Sequence, residues 1–358
     1  MKVSVAERIE NLTDWFYRKN NRPLLGFYLD SQYPLYRYRG SKRHLPDGVV
    51  KPEDIVVKDY LEDCDRLYKL YEEAGGDLIW SAAPFFGLPW VEASLGCKVV
   101  ANHEAGSTRS EPPENFENAP YIPDFREDNP WVRKLDEFIF ELNKHSEGRY
   151  PVGVTLMRGI SDLLSALYGG EKFLYRMLDS PDEVRELAGR LAEYWIAFGK
   201  HMMDGLQLFH GGTGAFFYSV WCPGSTIWMQ EDASALLSPD MYDKFIHPHN
   251  VEIIKHFENA VIHFHPSRFM PLDRFVESGI SAIEIHIDKG GPRAAELYQQ
   301  YMKVLKVKPL IIWGDLTLND LEFIINNLPH EGLAVNMVVS SPEEAKKIWE
   351  KTIRRYHE

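Results

Sequence analysis

Apolar residues gather in eight short runs along the chain, separated by longer stretches of helical periodicity. The runs are Pro23–Leu29, Asp77–Ala83, Tyr150–Met157, Gly214–Val220, Ala260–Pro266, Ser281–Ile287, Pro309–Asp315 and Leu333–Val339. Each is rich in β-branched or aromatic residues and is bounded by turn-formers or charge, which is the pattern of a buried strand. Three of the intervening helical patterns open on the same signal: Ser180-Pro181-Asp182, Ser238-Pro239-Asp240 and Ser341-Pro342-Glu343. A serine N-cap, a proline at the first helical position and an acid in the first turn each suit a helix start. Ser180 with Glu183, and Ser341 with Glu344, also have the spacing of capping boxes.

Strand alternating with helix eight times predicts an α/β fold of the (β/α)8 TIM-barrel type, one domain over residues 1–358. A helical extension precedes the first strand, and a long insertion, Pro84–Gly148, follows the second. A doubly wound open sheet normally carries a glycine-rich phosphate loop after its first strand. Here that position reads DSQYPLYRYRG, with no GxGxxG.

Side chains alternate along a strand, so residues two apart share a face. His263 and His265 therefore stand together, opposite Ile262 and Phe264. Glu284, His286 and Asp288 stand together, opposite Ile283, Ile285 and Ile287. The polar faces point toward the barrel interior, where buried polar groups need partners or a ligand. They also lie at the C-terminal ends of their strands, where barrel enzymes place their sites. Asp315 ends the next strand, Asp30 ends the first and Arg158 follows the third. The expected catalytic groups are His263, His265, His286 and Asp315. The expected substrate contacts are Asp30, Arg37, Arg158, Asp232 and Asp288. Arg37 belongs to an aromatic and cationic cluster, Tyr33 to Arg39, suited to gripping a carboxylate.

A His-x-His pair with a third imidazole can hold a divalent ion such as zinc, which makes His263, His265 and His286 candidate metal ligands. The same residues could equally bind substrate or move protons. Composition narrows the partners. The formal net charge is -13, so nucleic acid and anionic membrane surfaces are not expected partners. No apolar run approaches the roughly 20 residues of a membrane span, and the N-terminus lacks a secretory apolar core. Three scattered cysteines make neither a disulfide framework nor a zinc knuckle, and a reducing cytoplasm is the expected compartment.

Four stretches in order resemble the uroporphyrinogen decarboxylase superfamily. They are RGISDLLSALYGGEKFLYRMLDSPDEV (158–184), QEDASALLSPDMYDKFIHPH (230–249), IHFHPSRFMPLDRFVESGISAIEI (262–285) and WGDLTLNDL (313–321). The resemblance runs from about Asp77 to the C-terminus and implies the same barrel. It implies either decarboxylation of a porphyrinogen or other polycarboxylate, or methyl transfer linked to a thiol or to a corrinoid carried by a partner protein. A silent tetrapyrrole- or corrinoid-binding protein is the non-enzymatic alternative, and a homodimer is compatible with each. The family's decarboxylases carry an RQAGRY-type motif that this chain lacks. Its thiol methyltransferases hold zinc through His-x-Cys and a later cysteine. Here the pair is His263-Phe264-His265, and LAVNMVVSSPEE has no cysteine. The expectation is a methyltransferase-like enzyme acting on a small molecule through a changed ligand set.

Overall fold

The computed structural model describes residues 3–215, 219–353 and 356. Its strands, in chain order, are β1 (Leu24–Tyr28), β2 (Gly48–Val50), β3 (Lys98–Asn102), β4 (Ser107–Glu111), β5 (Met157–Arg158) and β6 (Gly212–Ala215). They continue with β7 (Val220–Pro223), β8 (Thr226–Gln230), β9 (Asn259–Phe264), β10 (Ala282–Ile287), β11 (Leu310–Gly314) and β12 (Leu333–Val338). Among the described residues, seven strands make the central sheet, in the order β1-β12-β11-β10-β9-β8-β5. Every pairing in it is parallel. Helices surround it, giving a barrel-like α/β architecture.

Three of the eight expected strands differ. Of Tyr150–Met157 only Met157 enters a ladder, as the first residue of β5, while Val152 and Val154 make isolated bridges. Residues 77–83 lie between the edges of the sheet but pair through one parallel bridge, Ala82 with Val152, instead of a ladder. Asp77 N–H donates to the Leu25 carbonyl at 2.8 Å on one side, and Ala82 N–H to Pro151 at 3.0 Å on the other. Pro151 and Pro84 have no N–H to give, which limits further pairing here. The expected strand Gly214–Val220 is instead divided between β6 and β7, an antiparallel hairpin outside the main sheet. Residues 216–218 of that run lie outside the described residues. The strand that joins β5 to β9 is β8, TIWMQ, fully buried along its length. The run just before it is richer in aromatic residues and so carries the stronger local strand signal.

The N-terminal extension is a helix, Val5–Phe16, which buries Leu12 and Trp15 and bonds Trp15 Nε1 to the Leu310 carbonyl at 3.3 Å. Nearby, the fully buried Asp77 takes two bonds from Arg22, at 2.6 and 2.7 Å, and one from the Leu25 N–H. That carboxylate ties β1 to residues 77–83. The insertion folds as a short helix (Trp90–Ser94), the β3–β4 hairpin extended by β2, and a helix over Pro130–Ser146. The last buries Val132, Leu135, Phe138, Ile139 and Leu142, a single helical face.

Two of the three serine caps form as expected. Ser238 accepts from the Met241 N–H and Ser341 from the Glu344 N–H, both at 3.2 Å. Ser180 makes no side-chain cap. Its intended partner Glu183 bonds Arg176 at 2.7 Å instead, because a charged donor in reach outcompetes a backbone N–H. No helix among the described residues is long and apolar enough to cross a membrane.

Candidate active site

Strand register assembles the site. Arg158 pairs with Gln230, Gln230 with His263, and His263 with Glu284. Four polar side chains thus share one level across β5, β8, β9 and β10. Two residues further along β10, His286 pairs with Trp313, and Trp313 with Asn336. A cavity of about 600 Å³ opens over these two levels. His263, His265, His286, Asp288, Asp315 and Asp30 all line it. The three imidazoles cluster, with ring centroids 4.6 to 5.9 Å apart.

Both histidines of the His-x-His pair are held through Nδ1. His263 Nδ1 bonds Glu284, and His265 Nδ1 lies 2.9 Å from Asp288. Their Nε2 atoms face one carboxylate, Asp232, at 3.9 and 4.0 Å. These separations are too long for hydrogen bonds but short enough for shared coordination. Asp232 Oδ1 is buried and has no hydrogen-bond partner among the described residues. The histidine and carboxylate ligand atoms form two groups, each within 4.8 Å: Asp232, His263 and His265, and His265, His286 and Asp288. The expected trio of three histidines therefore resolves into two sets that share His265.

Burial sets the protonation. It pulls His263 down to about 4 and pushes Glu284 well up, so this pair carries one proton between them in a dry site. Burial also takes His286 to about 2, with the neighbouring imidazoles adding to the effect. His265 goes the other way. Burial lowers it, but the Asp232 charge and the bond to Asp288 outweigh that and raise it. His265 is also the one imidazole of the three with substantial exposure, at 38%.

The remaining sequence candidates divide. Asp315 accepts from Gln32 at 3.3 Å, and Asp30 bonds Arg66 and the Ser31 N–H. Arg158 lines a neighbouring cavity and pairs with buried Glu92 at 3.1 Å. Arg37 does not line either cavity. It is 1% exposed, bonded to the Leu29 carbonyl and Tyr71 hydroxyl, with its guanidinium 4.5 Å from the Tyr28 ring centre. The apolar neighbours of that arginine, Tyr28 and Tyr71, stack on its planar face and draw it inward.

Four site residues are not among the catalytic and substrate contacts expected from the sequence. Glu284 was visible on the polar face of its strand, and its register partner identifies it. Glu92 comes from the insertion and carries no local signal. Glu231 and Asp162 form a reciprocal clamp. The Glu231 carboxylate accepts from Ile160 and Ser161 N–H at 2.9 and 3.1 Å, and Asp162 accepts from Asp232 and Ala233 N–H at 3.2 and 2.7 Å. The clamp fixes the backbone that carries Asp232.

No family model matches the chain, and no curated protein matches its sequence. The fold is nevertheless shared with solved structures. One is a methyltransferase from Methanosarcina mazei, similar at a TM-score of 0.65 over 98% of each chain, with 12% sequence identity. At that identity the likeness shows the architecture alone, a barrel-like α/β fold that this chain shares with a methyltransferase.

Proposed function

We propose that the protein is a methyltransferase-like enzyme of the uroporphyrinogen decarboxylase superfamily type, with residues 77–83 closing an eight-stave barrel. Its site would hold a divalent ion, zinc by donor chemistry, between His263, His265 and Asp232. The observation that carries this is the orientation of the two imidazoles. Each is fixed at Nδ1 by a carboxylate, Glu284 or Asp288, and each turns Nε2 toward Asp232. A carboxylate on the far ring nitrogen is how proteins orient histidine ligands. The unpartnered buried Asp232 Oδ1 fits the same arrangement. The three cysteines are buried and line neither cavity, so any ligand set here is nitrogen and oxygen.

An ion at that position would lower the pKa of a bound thiol and supply a nucleophile near neutral pH. The protein's own groups do the rest. With an ion bound, the His263–Glu284 pair would give up its shared proton, leaving Glu284 and Asp288 as carboxylates that hold each Nδ1–H and turn the Nε2 lone pairs toward the ion. A corrinoid on a partner protein is the methyl carrier that the family resemblance suggests. Polycarboxylate decarboxylation fits less well, because the first cavity offers Lys289 alone against Asp30, Asp288 and Asp315.

Metal analysis of the purified protein, with His263→Ala, His265→Ala and Asp232→Asn beside it, tests the reading. Near-stoichiometric zinc lost in all three variants, with methyl transfer from methylcobalamin to a thiol, is the expected result. Protein that takes up no divalent ion and transfers no methyl group overturns it.

A further inference from the structure

Gln230, Glu231 and Asp232 follow one another at the end of β8, where extended backbone sends neighbouring side chains to opposite sides. Glu231 turns into its clamp on the Ile160 and Ser161 N–H groups. Gln230 and Asp232 are left together, and Gln230 Nε2 donates to Asp232 Oδ2. We propose that Gln230 is a positioning residue: it holds Asp232 to a single ligating oxygen and so keeps one coordination position free for an incoming thiol. This rests on the ion-binding reading above.

Both oxygens of Asp232 have a route to the ion. Oδ1 lies 3.9 Å from His263 Nε2, and Oδ2 lies 4.0 Å from His265 Nε2. An unrestrained carboxylate beside two such imidazoles would close on a divalent ion through both oxygens. Here the two oxygens are not equivalent. Oδ2 carries the bond from Gln230, whereas Oδ1 is buried with no hydrogen-bond partner among the described residues. The oxygen that already accepts an N–H is the poorer ligand, so Oδ1 takes the ion. Two imidazoles and one oxygen make three protein ligands. Catalytic zinc sites with three protein ligands leave the fourth, tetrahedral position to water or substrate. A thiol entering it binds as thiolate, with its proton passing to solvent.

The kind of donor matters. An arginine or lysine at this position would offset the carboxylate's charge, while a neutral amide orients it and leaves that charge for the ion. The backbone clamp cannot do the same work. Asp162 accepts the Asp232 N–H at 3.2 Å, which fixes the main chain but not the rotation of the carboxylate. Gln230 is itself well held. It is 9% exposed, stands between Arg158 and His263 in the strand register, and accepts the Gly159 N–H on its backbone carbonyl at 2.6 Å. It also lines both cavities, so it stands where a ligand entering from either meets Asp232.

Cobalt(II) in place of zinc tests this, with 2-mercaptoethanol as the thiol probe. Wild-type protein should show the intense visible bands of a four-coordinate ion, and the thiol should add a sulfur-to-cobalt charge-transfer band. Gln230→Leu removes the donor without adding a ligand atom. It should still bind cobalt, but with the weaker bands of higher coordination, and its affinity for the thiol should fall roughly tenfold or more. Gln230→Glu, of the same size, cannot donate as a carboxylate and should lose the thiol band too. The melting temperature of chelator-treated protein reports on the fold alone and should stay near that of wild type. The wild-type spectrum and thiol affinity retained in either variant overturn the proposal, whatever happens to the melting temperature. So does a five- or six-coordinate spectrum in the wild type, which needs no variant. Wild-type protein that binds no cobalt sinks the reading of the site itself, and this proposal with it.

Discussion

His263 and Glu284 are register partners on adjacent parallel strands, and the His263 Nδ1 bond to the Glu284 carboxylate joins them in a site where both are almost wholly buried. One bond fixes a ring, a tautomer and a direction for Nε2. Everything proposed for the first cavity depends on that direction.

Glu284→Gln keeps the shape but can no longer stabilise the ring as a carboxylate does. Removing such a support typically costs about 10- to 100-fold in metal affinity. Competition against a chromophoric chelator measures it. Unchanged affinity in Glu284→Gln would mean that the carboxylate serves the fold and not a ligand.

The site should make metal-free protein most stable in a window near pH 6.5, the ordinary value for histidine. Below it, the unfolded chain protonates His286 while the folded one, held at about 2, does not. Stability should fall by up to about 1.4 kcal/mol per pH unit from that residue. The His263–Glu284 pair adds no slope there, because it carries one proton folded or unfolded. Above the window the sign reverses. The folded pair keeps its proton, and so does His265, whose pKa is raised. Their contribution is full below the unfolded histidine pKa and is lost as pH rises through the folded value. Denaturation midpoints from pH 5 to 8.5 for chelator-treated wild type check both arms. The acid arm should flatten in His286→Phe and the alkaline arm in His265→Asn.

Arg37 should behave as a core residue. Arg37→Ala strands the Leu29 carbonyl and the Tyr71 hydroxyl and leaves a hole between two tyrosine rings. A loss of about 2–4 kcal/mol is expected by chemical denaturation, with metal affinity unchanged. A selective loss of ligand affinity would return Arg37 to the site.

Gly159 sits where the two clamped segments touch. A Cβ there would overlap the Glu231 carboxylate and the Gln230 carbonyl. Gly159→Ala should therefore displace Asp232 and weaken metal binding more than it lowers the melting temperature. Visible spectra of the cobalt-substituted protein would report the altered coordination.

All three thiols are buried, and burial raises the pKa of each. A disulfide reagent should label none of Cys64, Cys97 and Cys222 in the folded protein and all three in denaturant. Rapid labelling of one in the native state would point to a thiol the described site does not include.

The alternation of His263, His265, Glu284 and His286 was sufficient, from sequence alone, to place four polar groups on inward faces at the C-terminal ends of two strands. A period of two is a local property of extended chain, so it is legible without knowing what lies beside it. The same locality made TIWMQ invisible next to a more aromatic run, since only pairing with β5 and β9 selects it. Only the tertiary structure decided that Arg37 turns inward, that Glu92 reaches Arg158 from 66 residues away, and that Asp232 stands between two imidazoles and two cavities. Those outcomes depend on which distant segments pack together. A charged side chain goes wherever packing supplies its partner, and no periodicity along the chain records that choice.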